Sequence, residues 1–220
     1  EGMEVVGEPH RWEVDANWKT GADNFAGDTD HTQTAHLSIF EVGLFGQKEV
    51  ASPDERYEHI HHVTDCDGHA LSLGMQAPEA EIFYGYPEEY VSREGLSDEQ
   101  FEIARRSFLN FGTVFPNLSF INVAGAASPE KPDRGYLSLR QWQPKGPGSM
   151  ELWNWVLVPR GASEEYKEEA YRTAVNSFGP SGNFEEDDLE IWSTITQSAG
   201  TVFADETRAR VNYQKGFENL

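Results

Sequence analysis

Apolar positions along the chain follow two periods. Short runs that alternate or stay continuously apolar, rich in β-branched and aromatic residues, cover Glu4 to Val6, Arg11 to Trp18, Tyr57 to Val63, Ala70 to Met75, Leu118 to Val123, Tyr136 to Trp142 and Met150 to Val158. They predict a mostly antiparallel sheet. The last two runs flank Gln143-Pro144-Lys145-Gly146-Pro147-Gly148-Ser149, whose Pro and Gly residues turn the chain between paired strands. A helical period predicts Ser97 to Leu109, where Ser97-Asp98-Glu99-Gln100 resembles a capping box ahead of Phe101, Ile103, Ala104 and Phe108. A second helix is predicted over Ser163 to Ser177, with Ser163 as N-cap, Glu164 and Glu165 at the positive end of the dipole, and Tyr166, Ala170 and Val175 as apolar face. A third runs from about Phe184 to Thr196 behind the acidic turn Glu185-Glu186-Asp187-Asp188. Strands mostly precede the long helices, so the class is α+β. Ala126 to Asp133 reads as an exposed loop, and no repeat or linker divides residues 1–220.

Composition narrows the function. A chain of 220 residues buries roughly 70 % of the surface its unfolded form exposes, enough to wall off a dry site. Its 17 basic and 38 acidic residues give a net charge of −21, and no stretch gathers Lys and Arg with aromatics. Nucleic acid and anionic membrane are therefore poor partners. No apolar run of about 18 residues occurs and Glu1-Gly2-Met3-Glu4 is no signal peptide, so the expectation is a soluble, cytoplasmic protein. The single cysteine, Cys66, sits in a polar turn and excludes an intrachain disulfide or a Cys-rich metal cage. Any metal must be held by His and carboxylate. Six Trp and thirteen Phe suit a pocket built of large flat side chains.

The chemistry concentrates in the stretch from Asn17 to His36, where two His and three carboxylates fall within fourteen residues. Five residues of ideal helix would turn His36 about 140° away from His31. The two can meet on one ion only where the helix is broken, and Thr32 and Thr34 weaken it there. Spacing alone leaves open that they are two His on an irregular surface loop. The later run ending in Asp187-Asp188 is equally readable as a helix start collecting carboxylates. Taken together, two imidazoles and a carboxylate on one face of an octahedral ion leave positions open, the arrangement of non-haem Fe(II) oxygenases.

The segment from Asn17 to Ser38 resembles the Asn-Trp-Lys…Glu-Asn-Phe-x-Gly-Asp-x-Tyr-His-x4-His-x-Ser signature of the large (alpha) subunits of Rieske-type aromatic-ring-hydroxylating dioxygenases, of the naphthalene and biphenyl dioxygenase kind. Phe178-Gly-Pro-x-Gly-x-Phe-Glu-x-Asp-Asp188 resembles that family's second motif, in the right order and about 150 residues on. The resemblance implies a helix-grip fold, an antiparallel sheet with long helices carrying the iron ligands. It implies His31, His36 and Asp188 as ligands of a mononuclear Fe(II), and Asp28 as the acidic residue bridging a neighbouring subunit's Rieske cluster to one of those His. Such a carboxylate on the far nitrogen of a bound imidazole fixes its tautomer and raises its basicity. Phe25, Phe178 and Phe184 correspond to pocket-lining positions, and Asn24 to a polar residue near the iron. The implied reaction is O₂-dependent cis-dihydroxylation of an aromatic substrate, with NAD(P)H electrons arriving through ferredoxin and reductase partners. The implied assembly is a homotrimer, or a hetero-hexamer with small subunits.

Departures qualify the match. Asp30 stands where the family has Tyr, Asp23 replaces Glu, and Phe184 replaces Trp. No Cys-x-His…Cys-x-x-His pair for a [2Fe–2S] Rieske cluster occurs. The expectation is that residues 1–220 are the mononuclear iron domain, and that the cluster lies in another part of a longer subunit or on another polypeptide. The rivals are a Rieske-type monooxygenase or demethylase domain, and a metal-free helix-grip protein holding a hydrophobic ligand. A dry pocket gains nothing from three unneutralised ligands, which weighs against the latter. His-Glu-x-x-His, Gly-x-Ser-x-Gly and cupin-type His-x-Asp/Glu pairs do not occur. His59, His61, His62 and His69 read as ordinary strand residues, and His10 has no partner in sequence.

Overall fold

A computed structural model describes residues 2–41, 60–65 and 67–207. Seven antiparallel strands form one sheet in the order β1-β7-β6-β5-β4-β3-β2. They are β1 Met3–Val14, β2 Ile60–Thr64, β3 Ala70–Met75, β4 Ser107–Val114, β5 Leu118–Gly125, β6 Arg134–Gly146 and β7 Ser149–Pro159. β2 to β7 follow one another as a meander, and β1 closes the order by pairing with β7. The helices are α1 Trp18–Phe25, α2 Leu37–Glu41, α3 Asp98–Arg106, α4 Glu164–Phe178, α5 Asn183–Ala199 and α6 Val202–Thr207, with a short 3₁₀ turn at Asp30–Gln33.

Alternation explains the sheet. Along β7 the alternate positions Met150, Leu152, Asn154, Val156 and Val158 are buried, and along β6 the buried positions include Tyr136, Ser138, Arg140 and Trp142. These residues make the inner face on which α4 lies, its Tyr166, Ala170 and Ala174 packed against Tyr136, Val156 and Val158. The predicted hairpin is present, its turn confined to Pro147-Gly148 because pairing continues out to Gly146 and Ser149.

Several strands and the last long helix extend a few residues beyond the expected bounds, and three boundaries change the type of an element or join two runs. The two amino-terminal runs fuse into β1 through an irregularity between Val6 and His10, and the strand ends at Val14. Trp18 instead opens α1, because the Asn17 side chain accepts the Lys19 N–H and caps a helix there. Residues 107–109 belong to β4, not to α3. The capping box starts α3 as expected, but that helix buries none of its residues, whereas Ser107 to Val114 gains ladder partners on both β3 and β5. His59 and Cys66, and the side chain of Asp30, lie outside the described residues.

Candidate metal centre

The first motif folds as three short pieces. Asn17 caps α1, Gly27 turns the chain with a φ of +125°, and Asp30–Gln33 forms a single 3₁₀ turn before α2 begins at Leu37. A side chain at position 27 would be strained by that φ and would press within 3.1 Å of His62 Nδ1. The break between His31 and His36 is the distortion that their spacing demands. Their rings meet edge to face with centroids 5.0 Å apart.

The second motif supplies a rigid counterpart. Gly182 caps α5 where an added Cβ would lie 2.4 Å from the Ser177 carbonyl oxygen, so only glycine brings α4 and α5 this close. Asp188, in the second turn of α5, is buried and points Oδ1 at both imidazoles: 3.3 Å to His36 Nε2 and 3.6 Å to His31 Nε2. His31, His36 and Asp188 each offer one ligand atom, all within 4.8 Å of one another, and they are the one such group among the described residues. Ligands at right angles on bonds of about 2.1 Å stand about 3 Å apart, so the set needs only slight contraction around an ion. Asp188 Oδ1 is buried and has no hydrogen-bond partner. A buried carboxylate oxygen left in that state is costly, and a cation between it and the two imidazoles relieves the cost.

A carboxylate stands behind each imidazole. Asp28 Oδ2 lies 3.5 Å from His31 Nδ1, and Asp187 Oδ2 lies 3.1 Å from His36 Nδ1. Burial pulls the His31 pKa down, but Asp28 and Asp188 together outweigh it, so the value lies above the ordinary one. Asp187 was not singled out in sequence. Its neighbour Asp188 faces the Nε2 atoms, and the roughly 100° step of the helix carries Asp187 round to the back of His36.

The expected pocket residues divide between two sides of a buried arginine. Phe184 packs edge-on to His36 at 4.7 Å and stacks on Phe178 at 5.3 Å. Phe25 lies against Phe111 and Trp142. The Arg140 guanidinium stands between them, 5.3 Å from the Phe25 ring centre and 5.6 Å from that of Phe178. Asn24 accepts a hydrogen bond from Trp192 Nε1 at 3.0 Å. Trp192 follows Asp188 by four residues on α5, the spacing that puts both on one helix face, and this was its only signal in sequence.

Buried polar side chains on the inner face of the sheet fasten these pieces. Thr113 donates to the Ala22 carbonyl of α1, Asn154 to the Phe178 carbonyl that ends α4, and Arg140 to Glu185 of α5. Arg140 and Glu185 are both fully buried. Burial pushes the Glu185 carboxyl up to about 7, against the pull of Arg140. Each bond ties the sheet to an element that carries or adjoins a candidate ligand.

The other described histidines stay apart from this group. His62 Nδ1 pairs with Ser72 Oγ, His69 Nδ1 accepts the Phe115 N–H, and His61 is exposed on β2. His10 finds a partner that sequence could not name, the Tyr171 hydroxyl at 2.9 Å. No helix among the described residues is long and apolar enough to cross a membrane.

Comparison with known proteins agrees with this geometry. The profile of the family described as ring hydroxylating alpha subunit (catalytic domain) matches residues 3–210. The N,N-dimethyl phenylurea N-demethylase subunit alpha of Sphingobium sp. (strain YBL2) is 30 % identical over 96 % of this chain and 47 % of that protein. Benzene 1,2-dioxygenase subunit alpha of Pseudomonas putida is 29 % identical over 88 % of this chain and 42 % of its own. The crystal structure of naphthalene 1,2-dioxygenase from Rhodococcus sp. bound to indole superimposes with a TM-score of 0.85 at 40 % identity, covering 99 % of this chain and 49 % of that one. The chain thus spans about half the length of the relatives it matches. With its seven-stranded antiparallel sheet, its paired motifs and its buried His-His-Asp group, the chain belongs to the family of ring-hydroxylating alpha subunits, as their catalytic domain.

Proposed function

We propose that this chain holds one Fe(II) through His31, His36 and Asp188 and serves as the oxygenating part of a Rieske non-haem iron enzyme acting on an aromatic substrate. The observation that carries this reading is the buried, unpartnered Oδ1 of Asp188 facing both imidazole Nε2 atoms. Iron in that site would supply activation of dioxygen for insertion into the ring, giving a cis-dihydrodiol. The chain's own residues do the rest. Asp187 hydrogen-bonds His36 Nδ1 at 3.1 Å and Asp28 faces His31 Nδ1 at 3.5 Å, an arrangement that favours a proton on each Nδ1 and leaves each Nε2 free to ligate. Phe184 and Phe178 form an apolar wall beside His36, excluding water and offering flat surfaces to an aromatic ring.

Asp28, 42 % exposed at its side chain, links the half-buried His31 to the surface. It is the residue through which an electron from the Rieske cluster of a neighbouring subunit would enter. Ferredoxin and reductase partners, and a trimeric assembly with or without small subunits, belong to the same proposal. A second reading is supported by the relative that matches 96 % of the chain and is named for N-demethylation of a phenylurea: the same site could oxidise an N-methyl group.

Metal analysis tests the assignment. About one iron per chain is expected, lost in His31→Ala, His36→Ala and Asp188→Ala. Full iron retention in all three variants would overturn it. Product analysis with matched aromatic and N-methyl substrates, in the presence of the electron-transfer partners, separates the two readings.

A further inference from the structure

Two apolar groups make up the interior beside the candidate metal centre. One holds Phe178, Phe184, Val123 and Tyr136, the other Phe25, Phe111, Trp142 and Trp192. Leu109 and Ile121 pack against both, and stay only half-buried although Phe111 and Val123, two residues further along the same strands, are buried. Arg140 stands at this seam. On β6 it pairs with Ser119, two residues from Ile121 on the same face of the sheet, and its guanidinium is flanked by Phe25 and Phe178.

The arginine is only partly satisfied there. Nη2 donates to Glu185 Oε2, while Nε and Nη1 are buried without a hydrogen-bond partner. Buried donors on a charged group are expensive to leave unmet, and an acceptor brought by a ligand would meet them. The charge of that acceptor follows from Glu185. Above about pH 7, where Glu185 is ionised, its carboxylate balances the guanidinium; its own Oε1 is buried without a partner, so a second anion would meet repulsion at the same place.

We infer that Arg140 is a specificity-determining residue that selects aromatic substrates bearing a neutral carbonyl acceptor. This rests on the aromatic-substrate reading above and sharpens it: Phe25 and Phe178 hold the ring, and Nε or Nη1 of Arg140 donates to the carbonyl oxygen. A site built to hydrogen-bond its ligand discriminates strongly against an analogue lacking the partner, whereas apolar walls alone discriminate weakly.

The test is calorimetric titration of the full chain with acetophenone, with α-methylstyrene, which replaces the carbonyl oxygen by a methylene of similar shape, and with benzoate. Acetophenone is expected to bind about tenfold or more tightly than α-methylstyrene, the ratio one hydrogen bond to a charged donor supplies. With the titrations run above about pH 7, where Glu185 is ionised, benzoate is expected to bind more weakly than acetophenone. In the double variant Arg140→Met/Glu185→Met, which removes both charges together and leaves neither uncompensated, the acetophenone to α-methylstyrene ratio should fall to about one. Equal affinities in the unaltered chain, a ratio that persists in the double variant, or tighter binding of benzoate would overturn the inference. If α-methylstyrene binds and acetophenone shows no advantage, this inference alone fails; if neither binds, the aromatic reading fails with it.

Discussion

The two imidazoles of the candidate metal centre are held in different ways. His36 is 4 % exposed at its side chain, packs on Phe184 and makes a 3.1 Å bond to Asp187 of α5, the same helix that carries Asp188. His31 is 16 % exposed, sits on an isolated 3₁₀ turn and faces Asp28 at 3.5 Å, beyond good hydrogen-bond length. One helix thus fixes a ligand and the orientation of a second, while the third comes from an irregular segment whose supporting carboxylate reaches solvent. The difference assigns separate work to the two arms. Under the proposed iron assignment, the Asp187–His36 arm would set metal affinity, and the Asp28–His31 arm would give the site its polar route to the surface.

The comparison breaks most completely at the atom both arms share. Asp188→Ala removes the only carboxylate facing both Nε2 atoms among the described residues, and iron content is expected to fall more than about 100-fold by elemental analysis. Retention of iron there would mean that the arms hold metal independently. Next in size, Asp187→Asn should weaken metal affinity by about 10- to 100-fold, the usual cost of losing a ligand's hydrogen-bonded support. Asp28→Asn should weaken it less and reduce electron-coupled turnover more. Competitive chelator titration with Fe(II) measures the first quantity, and the reverse order of the two variants would refute the division of labour.

Packing gives a smaller effect. Phe184→Ala opens a void between Phe178 and His36 and should cost about 3 kcal/mol in denaturant unfolding. Phe25→Ala, on the far side of Arg140, should destabilise comparably without weakening metal affinity. The smallest effect concerns pH. Glu185 is pushed from 4.5 to about 7 in the folded chain, so between those values the folded state holds a proton that the unfolded state has lost. Stability from this group is therefore complete below about 4.5 and is lost as pH rises through about 7. Against the unaltered chain, Glu185→Gln should flatten the decline in melting temperature across this window.

How far the site was legible depended on how local each signal was. His31, His36 and Asp188 were recoverable because two short motifs carry them, although spacing alone could not separate ligands from a surface loop. Asp28 lies three residues from His31 and was read with it. Asp187 stood in view within the acidic run, yet nothing nearby in the chain indicated that it would turn behind His36. Arg140 sat on the inward parity of the Tyr136 to Trp142 run, a charged residue at a core position, and its meaning waited on Glu185. In the fold, Ala70–Met75 was bounded correctly by its alternation. The first three residues of β4 fell within the helix expected over Ser97 to Leu109, because Phe108 and Leu109 fit an apolar helical face as well as a strand.

The sequence by itself determined the antiparallel strands, the capped starts of α3 and α4, the α+β class and, through its two motifs, the three candidate ligands. Those properties depend on side-chain period and capping, which act within a few residues. Only the tertiary structure decided that Asp187 supports His36 across 151 residues, that Trp192 holds Asn24 across 168, and that Arg140 meets Glu185 across 45. The physical reason is that a buried polar group must find a partner wherever packing brings one, and the packing of α1 and α5 against the sheet is a property of the whole chain.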